Sequence, residues 1–424
     1  MFAFSGQNKL KERYCGPIPL KCVSISLVAQ QLLLVLTLGG GTAAASKLDP
    51  LVVQQRFPVP NVARSFVRSG DSVFLARGTI VERCNLQNGK VVWRVDLTTV
   101  LHNSMGSGGP ATANLSVERT ALTGKNLILE ISQGCSGHVV ALNIDTGAMH
   151  WHFAPALLKQ PQSAANQESD PHSPPVIVGD KAILRMGSNL VALRLADGKE
   201  VWRTPYDVRL SVPPIPNGRP AVMGLKVFFN SDYGIAYAFD GNSGKPLWST
   251  LTDGFKITGQ GTVVNINMTY TTTAPVLDHG SLIVSDGTGM AYALSPDDGK
   301  IRWKSKTGYV YQFQQALGKL YAATPTGLAE INSKTGNIVR RYATQSDILT
   351  ATVVGRQMIL AFVKGGFSLF DLDRWASIGE VKDFTPITNP VYAAPNLIMV
   401  GSPDRSFNPS TFELRSYRLK SVTK

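Results

Sequence analysis

Cysteine is scarce in this chain: four in 424 residues, at positions 15, 22, 84 and 135. Two of these fall in the first 45 residues, so the rest of the chain cannot build a four-thiolate metal centre or a disulfide-stapled scaffold. Charge is scarce as well. Only 17% of residues are ionic, and 29 Asp and Glu stand against 42 Lys and Arg. With 43% hydrophobic residues, that composition excludes a disordered chain. The net charge of +13 is scattered, with no long Lys/Arg block, which argues against a nucleic-acid partner. It suits a solvated basic surface, or an anionic surface or glycan as a secondary partner. Also absent are HExxH, a P-loop, GxSxG and a Cys metal cluster. Those absences remove the zinc-peptidase, nucleotide-hydrolase and serine-hydrolase signatures. No cofactor, metal site or catalytic residue is assigned, and the chain is expected not to be an enzyme.

Residues 1–45 predict a secretory leader. Lys9, Lys11, Arg13 and Lys21 precede Val23–Leu38, a 16-residue stretch broken only by Gln30, Gln31 and hydroxyl residues. Ala43-Ala44-Ala45 before Ser46 suits cleavage. An uncleaved anchor is the alternative, though the stretch is short for a span. There is no twin arginine, and no cysteine follows the apolar stretch to carry a bacterial lipid anchor. The expected location is therefore periplasmic or secreted, with membrane association left open. Residues 46–424 are expected to form one domain. An exported compartment permits a disulfide between Cys84 and Cys135. The competing assignment for Cys84 is a small buried hydrophobe.

What the chain does have is a repeat. Five of its six tryptophans lie four residues after a glycine: Gly89/Trp93, Gly147/Trp151, Gly198/Trp202, Gly244/Trp248 and Gly299/Trp303. A sixth copy keeps Gly336 and has Arg340 in place of Trp. Successive glycines are 58, 51, 46, 55 and 37 residues apart, the spacing of one repeated supersecondary unit. Five residues before each glycine stands an apolar residue: Cys84, Leu142, Leu193, Phe239, Leu294 or Ile331. Between that residue and the glycine, Asp, Asn, Ser and Thr dominate and mark a tight turn. The flanks alternate apolar and polar, so the unit reads strand, turn, strand.

An earlier cue adds two more strands. Pro174-Pro175-Val176, Pro220-Ala221-Val222, Ala274-Pro275-Val276 and Asn389-Pro390-Val391 each open an apolar run, with a short break and a second run after it. Four antiparallel strands, A to D, make a propeller blade. The predicted blades span 62–97, 110–155, 173–206, 216–252, 272–308, 310–344, 347–384 and 387–420. The last lacks a D strand, and residues 50–58 lack a partner. The prediction is an all-β, eight-bladed β-propeller whose N-terminal strand completes the final blade, with seven blades as the alternative. Blade seven is degenerate: no glycine stands in register, and Trp375 falls in the turn. The repeated Trp residues are expected to pack between blades.

The copies ALNIDTGAMHW (141–151), AFDGNSGKPLW (238–248) and ALSPDDGKIRW (293–303) resemble the repeat of the PQQ-like, quinoprotein-type propeller superfamily. The resemblance covers about residues 60–420. It implies the propeller fold and leaves two functional branches. The quinone-dependent alcohol dehydrogenases need a cation site, an Asp base and a pair of adjacent cysteines, and this chain has no Cys-Cys pair. The non-catalytic branch includes the outer-membrane β-barrel assembly lipoproteins, and its resemblance implies a scaffold for protein partners in the cell envelope. A glycan- or cell-wall-binding propeller is a further alternative.

Strand alternation puts A–B and C–D turns on one face, and B–C turns and D-to-A crossings on the other. The crossings are long and polar at 98–111, 155–175, 205–220 and 252–273. Long polar loops on a rigid frame are where binding concentrates, so that face is the candidate surface. His102, His172, Arg209, Arg219 and Lys256 are its candidate partner-binding residues, and the chain is expected to act as a monomer. His150 and His152 could also point to the same side of a strand as a metal pair.

Overall fold

The computed structural model describes residues within 51–419, apart from 61–64, 86–87, 89, 106–114, 134–135, 155–174, 187–188, 206–218, 231–234, 254, 258–262, 266–272, 382–391, 395–396 and 404–410. The leader and Gly89 therefore lie outside the described residues.

Eight four-stranded antiparallel sheets follow one another along the chain. The first has strands Ser65–Ser69, Ser72–Arg77, Ile80–Asn85 and Val91–Asp96. The next six cover 115–153, 176–205, 221–251, 276–306, 312–343 and 348–381. The eighth joins both ends of the sequence. Tyr392–Ala394, Leu397–Pro403 and Thr411–Leu419 supply strands A to C, and Leu51–Pro60 pairs antiparallel with Thr411–Leu419 as strand D. The eight-blade count and the N-terminal closure thus match the expectation from sequence. The A strands of neighbouring blades lie against each other, so A is innermost. Strands B and C are almost wholly buried, as in Lys226–Asn230 and Ile235–Asp240. The D strands alternate exposed and half-buried residues, the signature of an edge with one packed face.

The repeat motif explains itself in the contacts. Each turn glycine takes a positive φ, from 69° to 77° in Gly147, Gly198, Gly244, Gly299 and Gly336. Its N–H donates back to the carbonyl four residues earlier, as Gly244 does to Asp240 O at 2.7 Å. The indole of the preceding blade lies flat on that glycine. A Cβ at Gly198 would sit 2.5 Å from Trp151 Cε3, and one at Gly244 would sit 2.5 Å from Trp202 Cε3. Glycine is required both for its conformation and for its missing side chain. The indole N–H closes the joint. Trp93, Trp151, Trp202, Trp248 and Trp303 donate to the carbonyls of Ile144, Leu195, Gly241, Pro296 and Ser333 at 3.0, 2.8, 3.3, 3.2 and 2.7 Å. Each accepting residue stands three before the glycine of the next blade. Within its own blade, Trp faces a small residue in four copies: Ala141, Ala192, Ala238 and Ala293. A bulge falls just before the Trp position in every C–D pair of the first seven blades, including blades six and seven, where Arg340 and Gly379 occupy that position.

The sixth copy rewrites this joint. Arg340 fills the Trp slot, and Glu330, only 5% exposed, fills the Ala slot opposite. Arg340 Nε donates to Glu330 Oε2 at 2.7 Å, and its Nη2 donates to Leu372 O at 3.1 Å. Leu372 stands three residues before Trp375. Trp375 therefore occupies the glycine position of blade seven, with φ 56°. Trp375 thus lies in the turn, as expected from sequence, and the Trp slot of blade seven falls to Gly379. The indole has moved to the blade-seven side of the seam, and a guanidinium faces it from blade six. The guanidinium stacks 4.0 Å from the Trp375 ring, a cation–π contact that restores the flat packing.

Candidate binding face

The crossing between blades one and two is not the polar loop expected from Thr98, Thr99 and the glycine-rich tail. Its first half is a helix, Leu97–Met105. Asp96 caps it, with Oδ1 accepting from Thr98 N at 3.0 Å. Leu97 and Leu101, four residues apart, are fully buried in a cluster with Leu115, Val117 and Val140. Their burial outweighs the weak helix propensity of the threonines. His102 is left exposed on the outer side. The crossing after blade four contains a short hairpin, Phe255–Ile257 with Val263–Asn265, that places Lys256 opposite Val264. Arg219 is exposed, two residues before strand Ala221–Met223. His172 and Arg209 lie outside the described residues. The three described candidates thus belong to three separate crossings rather than one cluster.

A defined cleft occupies the same face between blades five and six. It encloses about 470 Å³ and is lined by Lys306, Thr307, Gly308, Tyr309, Thr324, Pro325, Thr326 and Arg341. Its inner wall is held from below. Asp286, fully buried, accepts bonds from Thr288 N, Thr288 Oγ1 and Met290 N at 2.9, 2.7 and 3.1 Å. Its other oxygen accepts from Tyr292 OH at 2.7 Å. Burial first, and then that bond, raise the Tyr292 phenol well above its ordinary pKa, so it stays a donor. The turn so fixed presents Gly289 O, which accepts from Thr307 N at 3.1 Å and Gly308 N at 3.0 Å. Arg341 Nη2 then donates to Thr307 O at 3.1 Å across the blade seam. On the far wall, Thr324 Oγ1 donates to Gly327 O at 2.9 Å. Sequence reading missed this cleft because its residues come from two blades and form no motif.

His150 and His152 do not act together. His150 Nδ1 meets Asn126 Oδ1 at 2.5 Å, while His152 Nε2 meets His138 Nδ1 at 3.0 Å in a stacked pair. Burial first, and then His138, push His152 down to about 4. Among the described residues, no group of three His, Cys, Asp or Glu is placed to hold a metal ion. On the opposite face, Asp278 Oδ1 and Ser333 Oγ lie 3.1 and 3.2 Å from His279, but both meet the same nitrogen, Nδ1. A relay needs the two ring nitrogens to serve different partners, so this trio is structural. Cys84 is buried in strand Ile80–Asn85, and Cys135, its candidate disulfide partner, lies outside the described residues. No described helix is long and apolar enough to cross a membrane.

The family model described as outer membrane protein assembly factor BamB matches residues 24–250. The outer membrane protein assembly factor BamB of Burkholderia pseudomallei is 26% identical over 211 residues, 43% of this chain and 54% of that protein. A tetrathionate hydrolase of Acidithiobacillus ferrooxidans is 24% identical over 258 residues, 59% of this chain and 39% of that protein. The matches thus span about half or less of the length of these relatives. Among solved structures, BamB of Moraxella catarrhalis superposes with a TM-score of 0.62 at 14% identity, over 88% of this chain and 99% of that one. The quinohemoprotein alcohol dehydrogenase of Comamonas testosteroni reaches 0.63 at 10% identity, over 89% and 77%. Likeness at such identities speaks for the fold alone.

Proposed function

For a chain that belongs to the family of the outer membrane protein assembly factor BamB, we propose an exported, non-catalytic propeller that holds protein partners in the cell envelope, in outer-membrane protein assembly. The partner surface is the crossing face. The cleft between blades five and six carries the proposal. It is open to solvent and basic, and its lining holds hydroxyls and cations with no carboxylate and no histidine. The rest of the face agrees, since a helix and a hairpin build it up beyond what the propeller needs. The Asp278, His279 and Ser333 arrangement offers no proton relay that would favour an enzyme.

The test is in-cell cross-linking of the tagged full chain, then affinity purification and mass spectrometry. Recovery of outer-membrane assembly proteins in stoichiometric amount supports the scaffold. A preparation that brings down no envelope protein overturns it.

A further inference from the structure

The cleft between blades five and six also carries information about what it holds. The D strands around it present several cations, and most are already committed. Lys304 Nζ pairs with Asp253 at 2.8 Å, Arg340 pairs with Glu330 at 2.6 Å, and Arg302 Nη1 donates to Ser281 Oγ at 2.8 Å. Lys306 and Arg341 differ. Among the described residues no carboxylate stands within ion-pair distance of either, and both line the cleft. Side-chain alternation explains the contrast in strand Ile338–Ala343. Arg340 turns toward blade seven and Arg341 toward blade five. Arg341 spends Nη2 on Thr307 O, which fixes its plane and leaves the rest of its fork for a ligand.

The lining narrows the ligand class. It is cationic and hydroxyl-bearing, and it contains no Asp, Glu, Asn or Gln. Sugar hydroxyls therefore find neither the carboxylates nor the amides that recognise them in pairs. The amides of Thr307 and Gly308 both donate to Gly289 O, so the cleft wall is no nest of free N–H groups for a phosphate. Pro325 and the ring of Tyr309, set edge-on to Tyr311 at 5.3 Å, supply apolar surface between the cations. A volume of about 470 Å³ falls within the range of small-ligand sites, about 300–1,000 Å³. We infer that this cleft receives an acidic segment of a partner protein. Its carboxylates bind at Arg341 and Lys306, and its side chains rest against Pro325 and Tyr309. The inference rests on the proposal that the crossing face is a partner surface, and it adds the partner's chemistry and the point of contact.

The probe is a fluorescein-labelled peptide of alternating glutamate and tyrosine, titrated into the purified full chain by fluorescence anisotropy. The control peptide has glutamine at every glutamate. The expected result is saturable binding that weakens with added salt. Arg341→Glu with Lys306→Glu should weaken it about tenfold or more, since two attractive contacts become repulsive. Lys334→Glu, an exposed cation on the opposite face, should leave it unchanged. Circular dichroism and Tm verify folding, and Arg341→Gln with Lys306→Gln repeats the test without introducing charge. The inference is overturned by any of three results: equal binding of the glutamine peptide, equal loss in the Lys334 variant, or displacement of the peptide by inorganic phosphate or anionic lipid vesicles at equal charge. Cross-linking in cells with the Arg341/Lys306 variant separates the two proposals. Undiminished partner recovery sinks the cleft while the scaffold stands, whereas a wild-type chain that recovers no partner sinks the scaffold itself.

Discussion

Replacing Gly244 by alanine tests whether the seams are held by the glycine–indole contact. The added Cβ would lie 2.5 Å from Trp202 Cε3 and 2.7 Å from Thr204 Oγ1, against ordinary contacts of 3.4 Å or more. At φ 73° the alanine also carries left-handed strain of about 1–2 kcal/mol. A stiffer unfolded chain offsets about 0.4–1 kcal/mol of that. Relieving the overlap displaces the indole and costs about 1–3 kcal/mol. It also strains the bonds from Trp202 Nε1 to Gly241 O and from Thr204 Oγ1 to Gly244 O. The expected loss is about 3 kcal/mol. Trp202→Ala, at a half-buried site, should cost about 2–4 kcal/mol alone. In the double variant the overlap with the indole vanishes, and only the contact with Thr204 Oγ1 is left to be relieved. The pair should then fall short of additivity by about 2 kcal/mol. Urea unfolding of the four proteins at one temperature measures this directly. Gly179→Ala is the control, because its φ is 58° and a Cβ there meets nothing within 4 Å. It should cost about 1 kcal/mol. Additivity within about 0.5 kcal/mol at Gly244 and Trp202 would refute the account of the seams.

Three further outcomes are expected. Glu330→Ala leaves Arg340 and Lys319 facing an emptied buried slot and should cost about 3 kcal/mol in urea unfolding. Adding Arg340→Trp and Trp375→Gly to it rebuilds the ordinary joint and should recover most of that loss. His152, held down to about 4 from an ordinary 6.5, is protonated in the unfolded chain before the folded one. Its contribution is complete above about pH 6.5 and is lost as the pH falls toward 4. The urea midpoint should therefore drop over that window, and His152→Phe should flatten the drop. Deleting residues 51–60 removes the partner of Thr411–Leu419. It should lower Tm and promote association through the bared edge, seen by light scattering.

The blades were legible because one physical requirement, an indole lying on a left-handed glycine, writes the same two letters at five of the seams. The same rule explains why the seam before Trp375 left no such mark in the sequence. The slot demands a conformation and a flat contact, and Arg340 with Trp375 meets both using other residues. The helix at Leu97–Met105 was hidden because its two anchoring leucines act through burial that no local pattern reveals. The partner of His152 proved to be His138, on the neighbouring strand, not its i−2 neighbour His150. The cleft was the least legible feature. Lys306 and Arg341 matter because their neighbours are already paired, and pairing is decided across blades.

The closing strand has a consequence for how the molecule is made. Residues 61 to 410 separate Leu51–Pro60 from the strand that receives it. At a synthesis rate of about 5–20 residues per second, the first strand waits about 20–70 s for its partner to exist. Throughout that time the nascent array is open at both ends, and any chain that stops short of residue 411 never closes. Closure of the ring thus waits on residues 411–419, and a product truncated before them keeps an exposed edge.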